Sequence, residues 1–418
     1  MHFPGDSLMA LTHMGKTPDY IPTPDELVEE AARLVPVLKE RATKAEDLRR
    51  MPDETIADLK AAGIHKIFTP QRYGGYEMDW GTHVSVSREL GKGCGSTAWI
   101  SSVVMSHTWM LGRFPPEAQE EFWPDHPDAI IGTAFAGGGK ITPCEGGYLL
   151  NGQWRFSSGI DHADCAIVGA VEGEFDPKPG ARPKFRMAMM MPDEYEIIDT
   201  WFAEGLKGTG SKDIKVVDQF IPEHRTILSE DLSGTSAPGA VLHDSYIYNV
   251  EFQPYFATLL IGPILGTANG ALIDYVEQTK TRRGAMFGES IVDQIPVQVR
   301  LGESHTEIRS AELMVKNIID YLHETGVAGE RPVGATRLNI ARDFAFASRL
   351  CLSAVDRLSG IMGVTAQTGR NPVQRHFRDC RTMSTHGSLQ WDKCMAPTGK
   401  MLFGLKTGDP FVDNETLE

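Results

Sequence analysis

Two stretches hold the residue types best suited to chemistry: Asn151–Asp164, NGQWRFSSGIDHAD, and His386–Asp392, HGSLQWD. The first closes an alternating, aromatic run and sets two hydroxyls, Ser157 and Ser158, beside Gly159 at a strand end. Hydroxyls so placed either satisfy the backbone of a turn or face outward and hold a bound group. The second offers a lone imidazole, His386. With an ordinary pKa of about 6.5 it is able to move a proton near neutral pH, and it is equally able to cap a helix or fill a core. His107 lies in Ser106-His107-Thr108-Trp109, where the plainer reading is a buried residue on an apolar helix face beside Met105, Trp109 and Met110. Arg282-Arg283 precede Gly284–Gly288 and either pair with a phosphate or form a solvated pair at a helix end. Gly208-Thr209-Gly210-Ser211 offers backbone N–H groups and hydroxyls, a weak signal by itself.

Other chemistries find no foothold. The six cysteines form no CxxC pair and no zinc spacing, and they read as reduced thiols of a cytosolic protein. There is no HExxH, GxSxG or P-loop sequence. Gly91–Ser96, GKGCGS, looks like a dinucleotide loop, but no strand precedes it, so no nicotinamide site is expected. A formal net charge of −15 argues against nucleic acid or an anionic membrane as the main partner. No unbroken apolar run approaches the roughly 20 residues of a membrane helix, and the N-terminus lacks a signal-peptide core. A cytoplasmic, soluble protein is therefore expected.

The elements that must position these residues follow from texture. Residues 1–22 read as an irregular N-terminal arm. Thr23-Pro24-Asp25-Glu26 opens a helical region, 23–125, in which a second helix starts near Pro52-Asp53-Glu54 and stops at Gly63. Residues 126–248 break into short runs of β-formers separated by Gly, Pro and Asp. Residues 249–418 return to helix, with candidates at Ala257–Gln278, Thr306–His323 and Leu338–Met362, followed by a tail. The sparsely charged Leu338–Met362 is expected to be buried on most sides, in a core or at a subunit interface.

This helical, β, helical order and a colinear set of motifs carry a resemblance. The motifs are EDLRRMPDETIADLKAAGI (46–64), YGG (73–75), GSTAWISS (95–102), GGYLLNGQWRFSSGIDHAD (146–164), GLKGTGS (205–211), FIPEHR (220–225) and PVQRHFRD (372–379). From about residue 24 to 405 the chain resembles the acyl-CoA dehydrogenase fold. It is most similar to the oxygenase branch, the two-component (group D) flavin-dependent monooxygenases that include the p-hydroxyphenylacetate and 3-HSA hydroxylases. The resemblance implies an α+β architecture: an N-terminal helical domain, a middle β-domain and a C-terminal four-helix bundle, assembled as a homotetramer. It implies reduced FMN or FAD from a separate NAD(P)H:flavin reductase, O2 as co-substrate, and hydroxylation of an aromatic, phenolic compound through a flavin C4a-hydroperoxide.

The residue roles it implies are these. Ser158, with Ser157 as its neighbour, faces the flavin N5. Thr133, Gly208, Thr209 and Ser211 lie along the flavin, and Arg283, with Arg282, meets its phosphate. His386 stands where acyl-CoA dehydrogenases carry a Glu-Gly pair, and acts as the base for a phenolic proton. His107, Trp109, Gln253 and Phe256 face the substrate. Two departures from the branch stand out. Gln390 replaces an aspartate four residues after the histidine, leaving Asp392 as the nearby acid. Gln253 replaces an arginine before Pro254-Tyr255-Phe256, which suits a substrate without the same carboxylate. Alternatives are attack on an indole or sulfur heterocycle, with His386 as donor or acid, and an acyl-CoA dehydrogenase-like oxidase, disfavoured because no Glu-Gly pair stands at 386–387. A non-catalytic scaffold has little support.

Overall fold

The structure, a computed structural model, describes residues 18, 20–174 and 183–413. Most of the expected N-terminal arm and the last residues of the tail lie outside them. Helices come first: α1 (Pro24–Leu48), α2 (Asp53–Ala61), α3 (Trp80–Gly91), α4 (Gly95–Leu111) and α5 (Pro116–Phe122). Thr23 caps α1 in a reciprocal arrangement with Glu26, as Thr-Pro-Asp-Glu foretold. Gly63, at φ +69°, stops the chain after α2.

Seven strands follow: β1 (Ile131–Cys144), β2 (Gly147–Ser157), β3 (Cys165–Glu172), β4 (Phe185–Met190), β5 (Glu196–Ile198), β6 (Lys212–Pro222) and β7 (Thr226–Leu228). They form one sheet in the order β5-β6-β2-β1-β3-β4-β7. Among the described residues only β1 and β3 pair in parallel. The β2–β6 register slips between Trp154 and Ser157, and the β1–β3 register between Ala134 and Gly139. Such irregularities re-aim side chains, and both lie beside the residues expected to act.

Short helices α6 (Ser229–Ser233) and α7 (Phe252–Tyr255) lead into α8 (Thr258–Thr279), α9 (Ile295–Val327), α10 (Gly334–Met362) and α11 (Pro372–Ser384), which pack as a four-helix bundle. Then comes α12 (Trp391–Leu402). The helix closed in on nearly all sides is α8, not α10. α10 buries Phe344, Cys351, Val355 and Leu358 but leaves Phe346 40% exposed, and it carries Arg342, Asp343, Arg349, Asp356 and Arg357, so it is covered on one face rather than on most sides. The segment Phe252–Thr279 is long and apolar enough to cross a membrane by length and composition, contrary to the reading of the sequence. Its polar breaks, Thr258, Thr267 and Asp274, hid the run, and its burial in the bundle accounts for the apolarity.

Gly91 explains the glycine-rich stretch after α3. A Cβ there would fall 2.8 Å from the Cα of Gly266, so the glycines let α3 and α8 touch backbone to backbone. Helix α4 lies between sheet and bundle with nearly every residue buried. That leaves one face to line whatever space remains.

Candidate active site

That space is a cavity of about 850 Å³ between sheet and bundle, near the upper end of the roughly 300–1,000 Å³ usual for ligand sites. α4 gives it Trp99, Val103, Ser106, His107 and Met110, a single stripe at helical spacing. β1 gives Thr133 to Phe135, the end of β2 gives Ser158, and the loop before β6 gives Ser211. Phe252 and Phe256 come from the start of the bundle, and His386, Ser388 and Lys393 from the α11–α12 region.

The hydrogen bonds around Ser158 fix its proton. Thr209 Oγ1 donates to the Leu206 carbonyl at 2.9 Å. A hydroxyl has one hydrogen, so the 2.6 Å bond between Thr209 and Ser211 is donated by Ser211. The 2.8 Å bond between Ser211 and Ser158 is then donated by Ser158. Trp99 Nε1 donates to the Ser158 oxygen at 3.3 Å. Ser158 is left with one lone pair, and it lines the cavity as an acceptor. Leu206, itself at φ +56°, is anchored from below: its N–H donates to the buried Asp379 carboxylate at 2.6 Å. Burial raises that carboxyl to about 6. The Pro372–Asp379 motif thus shapes the loop that orients the serine.

His107 is committed elsewhere. Its Nδ1 lies 2.6 Å from the Ile131 carbonyl and its Nε2 2.7 Å from Thr133 Oγ1. A carbonyl only accepts, so Nδ1 carries the hydrogen and Thr133 donates to Nε2. Burial pushes the imidazole down to about 4, so it stays neutral. Both ring nitrogens are occupied, and the expected substrate contact at His107 gives way to Thr133, whose oxygen it holds in the cavity wall as an acceptor.

His386 faces the cavity beside Trp99 and Phe256, with ring centroids 6.0 and 5.8 Å away. The Ser388 backbone N–H donates to its Nδ1 at 3.2 Å. The neutral ring therefore keeps its proton on Nε2, and in this arrangement it offers a donor rather than the expected base. Burial, and then the charge of Lys393, lower its pKa. Asp392 is exposed and does not line the cavity. The place of the missing acid partner is filled by a backbone amide.

Several expected residues lie elsewhere. Ser157 is fully buried, with Oγ packed toward Gly132 on β1 rather than into the cavity. Gly208 is pressed against Ala45 and Met51, where a Cβ would come within 2.9 Å of each, so it serves close packing. Trp109 is buried and donates Nε1 to the Ile247 carbonyl at 2.6 Å. Gln253 is exposed. Arg282 donates to the Met362 carbonyl at 3.0 Å and Arg283 is exposed in a bridge to Ser290. None of these six lines the cavity of this chain. Trp99 and Lys393 were passed over in the sequence. Trp99 sits inside the GSTAWISS motif and could have been found there, whereas nothing local marks Lys393.

An enclosed slot with apolar walls, two hydroxyl oxygens fixed as acceptors and no metal-binding cluster among the described residues fits a flat ring with N–H groups on its edge. Comparison with known proteins agrees. Residues 24–125 match the acyl-CoA dehydrogenase N-terminal domain family and residues 259–391 the acyl-CoA dehydrogenase C-terminal domain family. The chain is 33% identical over 380 residues to the flavin-dependent monooxygenase oxygenase subunit HsaA of Rhodococcus jostii, covering 91% of this chain and 98% of that protein. It is 32% identical over 395 residues to the oxygenase component of p-hydroxyphenylacetate 3-hydroxylase of Acinetobacter baumannii, covering 93% of each. The crystal structure of 3-HSA hydroxylase from Rhodococcus sp. RHA1 superposes with a TM-score of 0.85 at 33% identity, over 93% of this chain and 99% of that one.

The fold is that of the acyl-CoA dehydrogenases. Within it, the chain belongs to the oxygenase components of two-component flavin-dependent monooxygenases. It is an enzyme that uses reduced flavin and O2 on an aromatic substrate.

Proposed function

We propose that the substrate is a phenol, hydroxylated with reduced FMN or FAD that a separate NAD(P)H:flavin reductase delivers, by a cytoplasmic homotetramer. The observation that carries this reading is the single cavity shared by the Ser158 acceptor and the His386 donor, with Trp99 between them. Bound there, reduced flavin takes up O2 and supplies one oxygen atom to the substrate. Ser158 and Thr133 would hold the ring edge. The Ser158 oxygen would accept a hydrogen bond from an N–H on the ring edge and hold that proton in place, while the apolar wall of Val103, Met110, Leu259 and Leu260 would keep water away. His386 Nε2–H would hold the phenolic oxygen and favour its ionised form, whose ortho carbon is the electron-rich one. Arg282 and Arg283 would reach a flavin phosphate only from a neighbouring copy. The exposed Met286 and Phe287 beside them support such a contact.

The names of relatives support a phenol: p-hydroxyphenylacetate 3-hydroxylase and a resorcinol hydroxylase. An indole-3-acetate monooxygenase at 26% identity supports the second reading, an indole, for which a donor at His386 would also serve. The dehydrogenase alternative has no base, since among the described residues no carboxylate lines the cavity. Supplying the protein with a flavin reductase and NADH, and screening phenols against indoles for product formed per O2 consumed, tests the reading. Coupled turnover of phenols supports it, and coupled turnover confined to indoles would replace it.

A further inference from the structure

The charge of the cavity is the reverse of the molecule's. The chain carries a formal net charge of −15, yet the charged residues lining the cavity are two cations, Arg155 and Lys393. They are not equivalent. Arg155, on β2, is mostly exposed at the rim, and its Nε lies 3.5 Å from the buried Asp213 carboxylate. Lys393, in the first turn of α12, is also exposed, but it makes no ion pair among the described residues, unlike Arg357 and Arg378 on neighbouring helices. The other titratable groups facing this space are His107 from α4 and His386, both held neutral. β1, α7 and α8 contribute none.

We propose that Lys393 is the specificity-determining cation of this site: it draws an acidic phenol in as the phenolate and holds the charged oxygen together with the Nε2–H of His386. This rests on the phenolic reading above. On entry the phenol gives its proton to solvent, and the anion left behind meets an ammonium that has no other counter-charge. An opposite charge close by lowers an acid's pKa, by about 1–3 units when the pair is shielded and toward the lower end of that range at a solvent-exposed rim. Two partners that only donate also suit an anion better than a neutral hydroxyl, whose own proton would find no acceptor at either of them. An indole without an acidic group gains no ion pair from Lys393, so the residue favours phenolates over indoles of that kind.

The test uses 4-nitrophenol as the probe, whose phenolate absorbs visible light, bound to the purified full-length protein and titrated with pH. The bound probe is expected to ionise about 1 pKa unit below the free one. Lys393→Met is expected to return ionisation to the free value and weaken phenolate binding about tenfold. Lys393→Gln should do the same, Lys393→Arg should keep most of the shift, and matched melting temperatures show that all are folded. Uptake with unshifted ionisation, or a shift that survives in both Lys393→Met and Lys393→Gln, would overturn this inference alone. No uptake of 4-nitrophenol at any pH, with uptake of indole, would overturn it together with the phenolic reading.

Discussion

The direction of the Ser158 proton is set by Ser211 and Thr209, and the proposed role of Ser158 depends on it. Ser158→Ala removes the acceptor, so flavin should still bind and consume O2 while most of the oxygen emerges as hydrogen peroxide. Product per O2 is expected to fall about tenfold, the scale of one hydrogen bond to a charged or polarised group. Ser211→Ala leaves Ser158 in place but frees its proton, and should give a smaller loss of the same kind, read in the same peroxide assay. An unchanged yield in both variants would remove the serine relay from the mechanism. His386→Ala should likewise keep O2 uptake and lose product. The sequence exposed these residues unevenly. Ser158 and His386 stand in motifs whose chemistry is local, so their types alone suggested a site. The tautomers of His386 and His107 depend on one backbone amide and one carbonyl brought in by folding, and no spacing in the chain encodes them. Ser157 and Ser158 are adjacent, and only the register slip at the end of β2 decides which of them faces the cavity.

Among the elements, α11 matters through its buried face. Asp379 grips the Leu206 amide and so sets the loop that carries Thr209 and Ser211. Its folded pKa of about 6 stands above the ordinary carboxylate value of 3.8. The folded state thus binds the proton more tightly, and this group's contribution to stability is full below about pH 4 and lost as pH rises through 6. Asp379→Asn keeps an acceptor for Leu206 and removes the titration. The difference in melting temperature between variant and parent is expected to move in the variant's favour from pH 4 to pH 6. A flat difference across that range would show that Asp379 does not titrate there. Capping and glycine signals made α1 and α2 readable in advance, and short runs of β-formers between Gly, Pro and Asp made β2, β3, β4 and β6 readable. The burial of α8 was not, because polar residues interrupt it: Thr258 is satisfied by the Tyr255 carbonyl, and Asp274 by Lys39 of α1 and His376 of α11, partners that only the packed bundle supplies.

The whole molecule holds a largely apolar cavity, with two cations at its lining, between a sheet and a helical bundle inside an acidic protein. Its buried imidazoles make it sensitive to acid. His83, His107 and His243 are each pushed down to about 4 by burial. The unfolded chain binds those protons first, so their contribution is full above about pH 6.5 and lost as pH falls toward 4. The melting temperature should therefore drop across that interval, and His243→Gln, away from the cavity, should lessen the drop; an unaltered slope would place the acid sensitivity elsewhere. At the same scale, light scattering on the purified protein should give four times the chain mass, and a monomer would leave Arg283 without a role. The most direct measurement is to load the protein anaerobically with photoreduced flavin and a phenol, then add isotopically heavy O2 and weigh the product. One heavy oxygen atom on the phenol ring is the expected result. Flavin that reoxidises with every heavy atom recovered in peroxide or water, and no labelled phenol, would contradict the account.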